Sequence, residues 1–329
     1  TAANERERNA LGGKPLPTAY FLAISGGGDD GAFGSGLLVG WTAHGDRPQF
    51  KLVTGISTGA LSAPFAFLGS KYDSQLRDIY TQIEARNVFE RRSIIAAVAD
   101  DALAGSEPLR QTILRYLTDE VVAAIAEEYK KGRLLLVMTT NLDAGRPVIW
   151  NIGAIATSAE PRKREIIART LLASASIPAF LPPVLFDVEI EGQRYQEMHV
   201  DGGAVAQVFL YPPGLAGSSK FAKRKRVAYV IRNGRFAVAW QQVGREAITI
   251  AGRASATMIT SNGGGDLYRI YATAKRDGVD FNYAYIGNDF DTPYRSPFQP
   301  EYMNKLYEYG FELGRRGYRW EMVPPGFNG

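Results

Sequence analysis

The chain has 329 residues, 45% of them hydrophobic and 22% charged, which is an ordinary globular composition with room for one large core or two modest ones. Its 38 Lys and Arg against 34 Asp and Glu leave a net charge of +4, too small a surplus to mark a nucleic-acid-binding face. There is no cysteine, which excludes disulfides, thiolate metal sites and cysteine nucleophiles, and His44 and His199 as the only histidines make a multi-histidine metal centre a poor reading.

Residues 1–17 are polar and charged, with Glu5, Arg6, Glu7 and Arg8 followed by Gly12, Gly13 and two prolines, and read as a flexible N-terminal arm. The chain starts at Thr1 rather than methionine, which suggests a trimmed N-terminus and leaves an exported or envelope-attached precursor open. No apolar run reaches the ~18 residues needed to span a bilayer. From Tyr20 to Ile24 a short continuous apolar run has the character of a strand buried on both faces. It ends in Ser25-Gly26-Gly27-Gly28-Asp29-Asp30-Gly31, after which a helix extends to Trp41.

That glycine loop has two chemical readings. Gly26, Gly28 and Gly31 spell G-x-G-x-x-G, the dinucleotide fingerprint, but Asp29 and Asp30 set two carboxylates against any pyrophosphate. The fingerprint also needs an acidic residue at the end of the next strand to hold the ribose. Here that strand, Leu52 to Thr54, runs instead into Gly55-Ile56-Ser57-Thr58-Gly59. The loop therefore reads better as backbone N–H groups of Gly26, Gly27, Gly28 and Gly31 aimed at one developing negative charge, an oxyanion hole.

Strand, G-x-S-x-G and helix in sequence form the context of a nucleophile elbow, with Gly55 and Gly59 giving strand and helix room to approach and Ser57 exposed at the tip. A plain βα turn without chemistry is the competing account of the pentapeptide alone. Further helices are expected over Leu61 to Leu68, over Ser70 to Glu84 with Leu76, Ile79, Tyr80 and Ile83 on one face, and from Ile94 to Tyr129 with breaks near Gly105 and Thr118. Arg133 to Thr139 reads as a buried strand, Pro147 to Ile152 as its return, and Arg164 to Ser174 as a helix.

Three prolines hold Ser176 to Pro183 out of helix and central strand alike, so its apolar side chains either line a groove or pack as a rigid loop. Val184 to Ile190 and Arg194 to Val200 flank Glu191-Gly192-Gln193 as a hairpin, and its second arm ends in Asp201-Gly202-Gly203. The basic run from Lys223 to Arg226 reads as the solvated start of the strand Val227 to Ile231, with contact to anionic headgroups the lesser reading. A long helix over Trp240 to Thr260, a strand over Phe281 to Ile286 and an amphipathic helix over Glu301 to Arg319 complete the chain. Alternating strands and helices predict an α/β fold, a mainly parallel central sheet with helices on both faces, and no linker divides residues 18–329 into two domains.

A serine hydroxyl needs a base, usually histidine. His44 belongs to a helix C-terminus; His199, two residues before Asp201, shares its face if the strand continues and stays a candidate. Asp201 is the better one, because it stands where a strand gives way to Gly202 and Gly203; a turn-forming Asx residue is the alternative.

Gly26 to Gly31, Gly55 to Gly59 and Asp201-Gly202-Gly203, in that order, resemble the patatin-like phospholipases, and the segment Ser176 to Pro183 is similar to the one that precedes the aspartate in that family. The resemblance covers about Tyr20 to Gly203. The family usually has a basic residue before the last loop glycine, where this chain has Asp30. What the resemblance implies is a patatin-like three-layer α/β/α fold and a lipid acyl hydrolase of phospholipase, lipase or esterase type. It also implies a Ser57–Asp201 dyad, no metal, no cofactor, a lipid or acyl-ester substrate and contact with a membrane surface. The residues alone reach a serine acyl hydrolase. A non-catalytic lipid-binding or scaffold protein on the same fold, and a dinucleotide-binding oxidoreductase, are the alternatives.

Overall fold

The computed structural model describes residues 2–88, 90–91, 104–178, 180–211, 224–236 and 243–326. Strand β1 (Ala19–Ile24) and β2 (Leu52–Gly55) lie side by side at the centre of an eight-stranded sheet. A small pair, β3 (Glu90–Arg91) with β4 (Ala104–Gly105), stands apart from it. The main sheet adds β5 (Leu134–Asn141), β6 (Arg146–Asn151), the hairpin β7 (Val184–Ile190) and β8 (Gln193–Asp201), then β9 (Arg226–Ile231) and β10 (Asp280–Ala284). The path β10-β9-β1-β2-β5 is parallel throughout, and the pairings of β5 with β6, β5 with β8 and β8 with β7 are antiparallel, so the sheet is mixed and mostly parallel.

Each face of the central strands is covered, which is why their sequences are apolar without alternation. On one side Leu22, Ile24 and Val53 meet α2 (Gly31–His44), α3 (Thr58–Leu68), α4 (Asp73–Thr81) and the closing helix Pro300–Arg315. On the other, Phe21, Ala23, Ala228 and Val230 meet Leu267, Ile270, Tyr271 and Ala274 of the helix Ala247–Arg276. The predicted amphipathic face holds: Leu76, Ile79, Tyr80 and Ile83 are all buried.

Several expectations are corrected. The N-terminal stretch is not a loose arm: α1 (Ala2–Ala10) is a helix whose Glu7 pairs with Lys51 at 2.6 Å and with Arg224 at 2.8 Å, while the Arg6 guanidinium lies 4.1 Å from the centre of the Tyr129 ring. Ion pairs between segments distant in sequence give no local signal. The same contact withdraws Arg224 from solvent, so the basic run preceding β9 is only partly solvated. The late helix begins at Ala247 and continues through Gly263, Gly264 and Gly265 to Arg276, because its second half packs on the sheet and outweighs the poor helix propensity of glycine. Within the stretch expected to be helical from Ile94 to Tyr129, helices cover Glu107–Tyr116 and Asp119–Lys130, with Thr118 as the N-cap of the second; residues 92–103 lie outside the described residues, as do 237–242.

Candidate active site

Ser57 stands between β2 and α3 with φ 54° and ψ −125°, a conformation rare for a residue with a Cβ and held only where the surroundings enforce it. The enforcement is visible on both sides. A Cβ on Gly55 would come within 2.4 Å of the Gly59 carbonyl oxygen, and one on Gly59 within 2.3 Å of the Ile24 carbonyl oxygen, so only glycine lets β2 turn under α3 and lets α3 press against the end of β1. The Ser57 N–H donates to Ser174 Oγ at 3.0 Å, and Ser174 Oγ donates to the Met138 carbonyl at 2.7 Å, tying the elbow to β5. Below the turn, the Tyr80 hydroxyl bonds the Thr58 carbonyl at 2.9 Å and Ser62 Oγ at 3.0 Å.

Asp201 reaches the elbow from the opposite direction, on a strand antiparallel to β5, and lies opposite Thr139, two residues beyond the Val137 that pairs with Gly55. Gly202 has the Met138 carbonyl and Ile56 where a side chain would be, so the chain turns flush against the elbow. The Asp201 carboxylate accepts the Gly203 N–H at 2.7 Å. It therefore is an Asx-type turn residue. Burial pushes its pKa up to about 7, against the opposing pull of the Ser57 hydroxyl and the Gly203 N–H.

His199 is brought to neither. Its ring is fully buried, with Nδ1 2.8 Å from Thr139 Oγ1 and Nε2 3.2 Å from Glu197, between the rings of Trp150 and Phe186. His44 is at the far end of α2, 3.2 Å from the Arg315 carbonyl.

The glycine loop after β1 lies beside Ser57, where a Cβ on Gly26 would sit 3.1 Å from Ser57 Cβ. Not all four glycines have a free N–H, which corrects part of the sequence reading. Gly26 donates to the Gln207 carbonyl at 3.0 Å, and Gly31 donates back to Gly28 and Asp29. The amides of Gly27 and Gly28 donate to no backbone carbonyl among the described residues. What holds these two in place is Asn233, just past the end of β9. Its Nδ2 donates to the Ser25 carbonyl at 2.9 Å, its N–H donates to Ser25 Oγ at 2.8 Å, and its Oδ1 accepts the Gly34 N–H at 3.0 Å.

Asn233, Ser174 and Tyr80 are the residues that reading the sequence misses, since each acts across more than fifteen residues of chain and none belongs to a motif. Asp29 accepts the Phe298 N–H at 2.9 Å and Asp30 accepts the Tyr302 hydroxyl at 2.6 Å, which ties the loop to the C-terminal region. Among the described residues no group of three or more His, Cys, Asp or Glu is arranged to hold a metal ion. Leu181 is buried while Phe180 is exposed, so the proline-rich segment both packs and presents an apolar ring to solvent; Ala179 lies outside the described residues.

Fold and site together define an α/β protein with a serine elbow at the C-terminal edge of a mostly parallel sheet. The chain belongs to the patatin-like phospholipase family, whose model matches residues 22–212. Two solved structures are similar at 13% identity: VipD from Legionella pneumophila, with a TM-score of 0.40 over 92% of this chain and 66% of that one, and the type III effector protein ExoU, with a TM-score of 0.33 over 93% and 55%. This chain thus spans less than two thirds of either. Among curated proteins none matches.

Proposed function

We propose that the protein is a serine acyl hydrolase that cleaves carboxylic esters of lipids through a Ser57–Asp201 dyad. The observation that carries this reading is a serine on a positive-φ elbow beside a buried carboxylate whose pKa its hydroxyl holds down, with both histidines engaged elsewhere. Family membership supports the lipid substrate.

In the first half-reaction Ser57 Oγ attacks the ester carbonyl as its proton passes to Asp201. The carbonyl oxygen gains the negative charge and is met by the amides of Gly27 and Gly28, near the positive end of α3. Collapse of the tetrahedral intermediate breaks the bond to the alkoxide, which takes the proton from Asp201 and leaves an acyl ester on Ser57. In the second, Asp201 accepts a proton from water, the hydroxide attacks the acyl carbonyl, and Ser57 Oγ leaves and recovers the proton. Glycine suits the loop because no side chain obstructs the incoming ester.

A fluorophosphonate probe tests the reading, since it reacts only with an activated serine. Covalent labelling of the protein as isolated, absent from Ser57→Ala, is expected. No labelling of the unmodified protein favours a non-catalytic lipid-binding role.

Asn233 is assigned to positioning. Removing its two side-chain hydrogen bonds in Asn233→Ala frees the loop to move relative to Ser57, and a displacement of ~1 Å at a reacting centre costs about 10- to 100-fold in rate. The expected pattern in ester hydrolysis is a fall in kcat greater than the rise in KM, with fluorophosphonate labelling slowed but not abolished. An unchanged kcat in a folded variant would remove Asn233 from this role.

A further inference from the structure

The glycine loop after β1 is held from two sides. Asn233 binds Ser25 and Gly34, which flank it. The single turn inside it, Gly28–Asp30, is held by residues from the other end of the chain. Asp29 Oδ2 accepts the Phe298 N–H at 2.9 Å and Asp30 Oδ1 accepts the Tyr302 hydroxyl at 2.6 Å, between positions 269 and 272 residues apart in sequence. Both donors lie outside residues 22–212, so no family motif announces them.

Each anchor is itself fixed. Tyr302 stands in the first turn of the closing helix, which presses on α2 so closely that a Cβ on Gly36 would come within 2.1 Å of the Tyr307 carbonyl oxygen. Its ring is buried, steeply inclined to Phe290 at 5.7 Å and 68° and to Tyr294 at 5.3 Å and 81°. Phe298 holds φ 54°, a conformation that a residue with a Cβ keeps only where its surroundings enforce it, and the carboxylate taking its N–H is part of that enforcement. Asp29 is buried as well, so losing this donor would leave an unsatisfied acceptor away from water.

We propose that Phe298 and Tyr302 are positioning residues for the oxyanion-binding amides, acting through Asp29 and Asp30. The inference rests on the proposed hydrolase function. Gly27 and Gly28 directly precede the two carboxylates, so a shift of Asp29 passes to the Gly28 unit through one planar peptide. Phe298 contributes its backbone N–H and Tyr302 its hydroxyl, and each acts on the loop rather than on the ester. Their effect falls on rate rather than affinity, because the full negative charge that the amides meet develops only on the way to the tetrahedral intermediate.

Three variants test this. Tyr302→Phe deletes one hydroxyl and keeps the ring beside Phe290 and Tyr294; Asp29→Ala deletes the acceptor of the Phe298 N–H, whereas Asp29→Asn keeps one. With short acyl esters, Tyr302→Phe and Asp29→Ala are each expected to lower kcat about tenfold with KM changed less than about twofold, as for a reacting geometry displaced by ~1 Å. Asp29→Asn is expected to recover most of the loss, and fluorophosphonate labelling of Ser57 to slow in the same order. Hydrogen–deuterium exchange reads the loop without chemistry: amides in residues 25–34 are expected to exchange at least about fivefold faster in Tyr302→Phe and Asp29→Ala. A merely structural role lowers the melting temperature and leaves kcat per folded molecule unchanged, which would overturn the proposal. So would unchanged exchange over residues 25–34, or Asp29→Asn as slow as Asp29→Ala. Failure of the hydrolase reading is distinguishable, because the unmodified protein then neither labels nor hydrolyses, and exchange over residues 25–34 still decides whether Phe298 and Tyr302 hold the loop.

Discussion

Ser57→Ala is expected to lower ester hydrolysis by about 10⁴-fold or more, toward the rate without enzyme, because the elbow positions one nucleophile and water cannot reproduce its geometry. The fold is expected to survive, since alanine keeps the Cβ and the backbone N–H that donates to Ser174 Oγ. Stability offers an independent check on the same residue. A non-glycine residue at φ 54° stores roughly 1–2 kcal/mol of strain. Ser57→Gly releases that strain, and it is expected to be as inactive as Ser57→Ala yet to unfold at a higher temperature. Hydrolysis of short acyl esters together with thermal unfolding of both variants makes the measurement. Full activity in Ser57→Ala would end the whole reading.

The second large effect concerns the base. Asp201→Asn retains shape and hydrogen bonding to Gly203 while removing the proton acceptor, so kcat is expected to fall at least ~10²-fold. His199→Ala leaves a void between Trp150 and Phe186 and acts through stability, with little change in kcat for the protein that stays folded. A histidine effect larger than the aspartate effect would make this a triad enzyme.

The pH dependence of the unmodified protein follows from the carboxyl raised to about 7. Below that pH the folded protein carries Asp201 protonated and unable to accept the Ser57 proton, so kcat/KM should rise with pH through about 7 and then level off. Stability moves the opposite way. Between the ordinary carboxyl value of 3.8 and the raised value, the folded state holds a proton that the unfolded chain has released. The contribution of this group therefore declines as pH rises across that window. Asp201→Asn does not ionise and is expected to be more stable than the unmodified protein at pH 8 by about 1 kcal/mol or more. A rate profile flat from pH 5 to 8 would separate Asp201 from the proton transfer.

Much of this protein is local enough to be legible in one dimension. The buried central strands appear as unbroken apolar runs, since both faces of the sheet are covered. The elbow appears as Gly55-Ile56-Ser57-Thr58-Gly59, since only glycine fits where β2 and α3 nearly touch. The hairpin ending at Asp201 appears through its turn residues and its alternation. These signals depend on neighbours a few residues away.

What the sequence left undecided depends on contacts across long stretches of chain. That Gly26 and Gly31 spend their N–H groups inside the protein, while those of Gly27 and Gly28 donate to no backbone carbonyl among the described residues, depends on Gln207 and on the turn closing upon itself. That Asn233 clamps the loop depends on β9 lying beside β1 in parallel register. His199 looked eligible because it shares a strand with Asp201, and only the neighbouring strands show it turned toward Thr139 and Glu197. The chain by itself determined the turn at the tip of β2, because strain and glycine spacing are local; which hydrogen-bonding groups are claimed around that tip was decided by tertiary structure, because their partners lie far away in sequence.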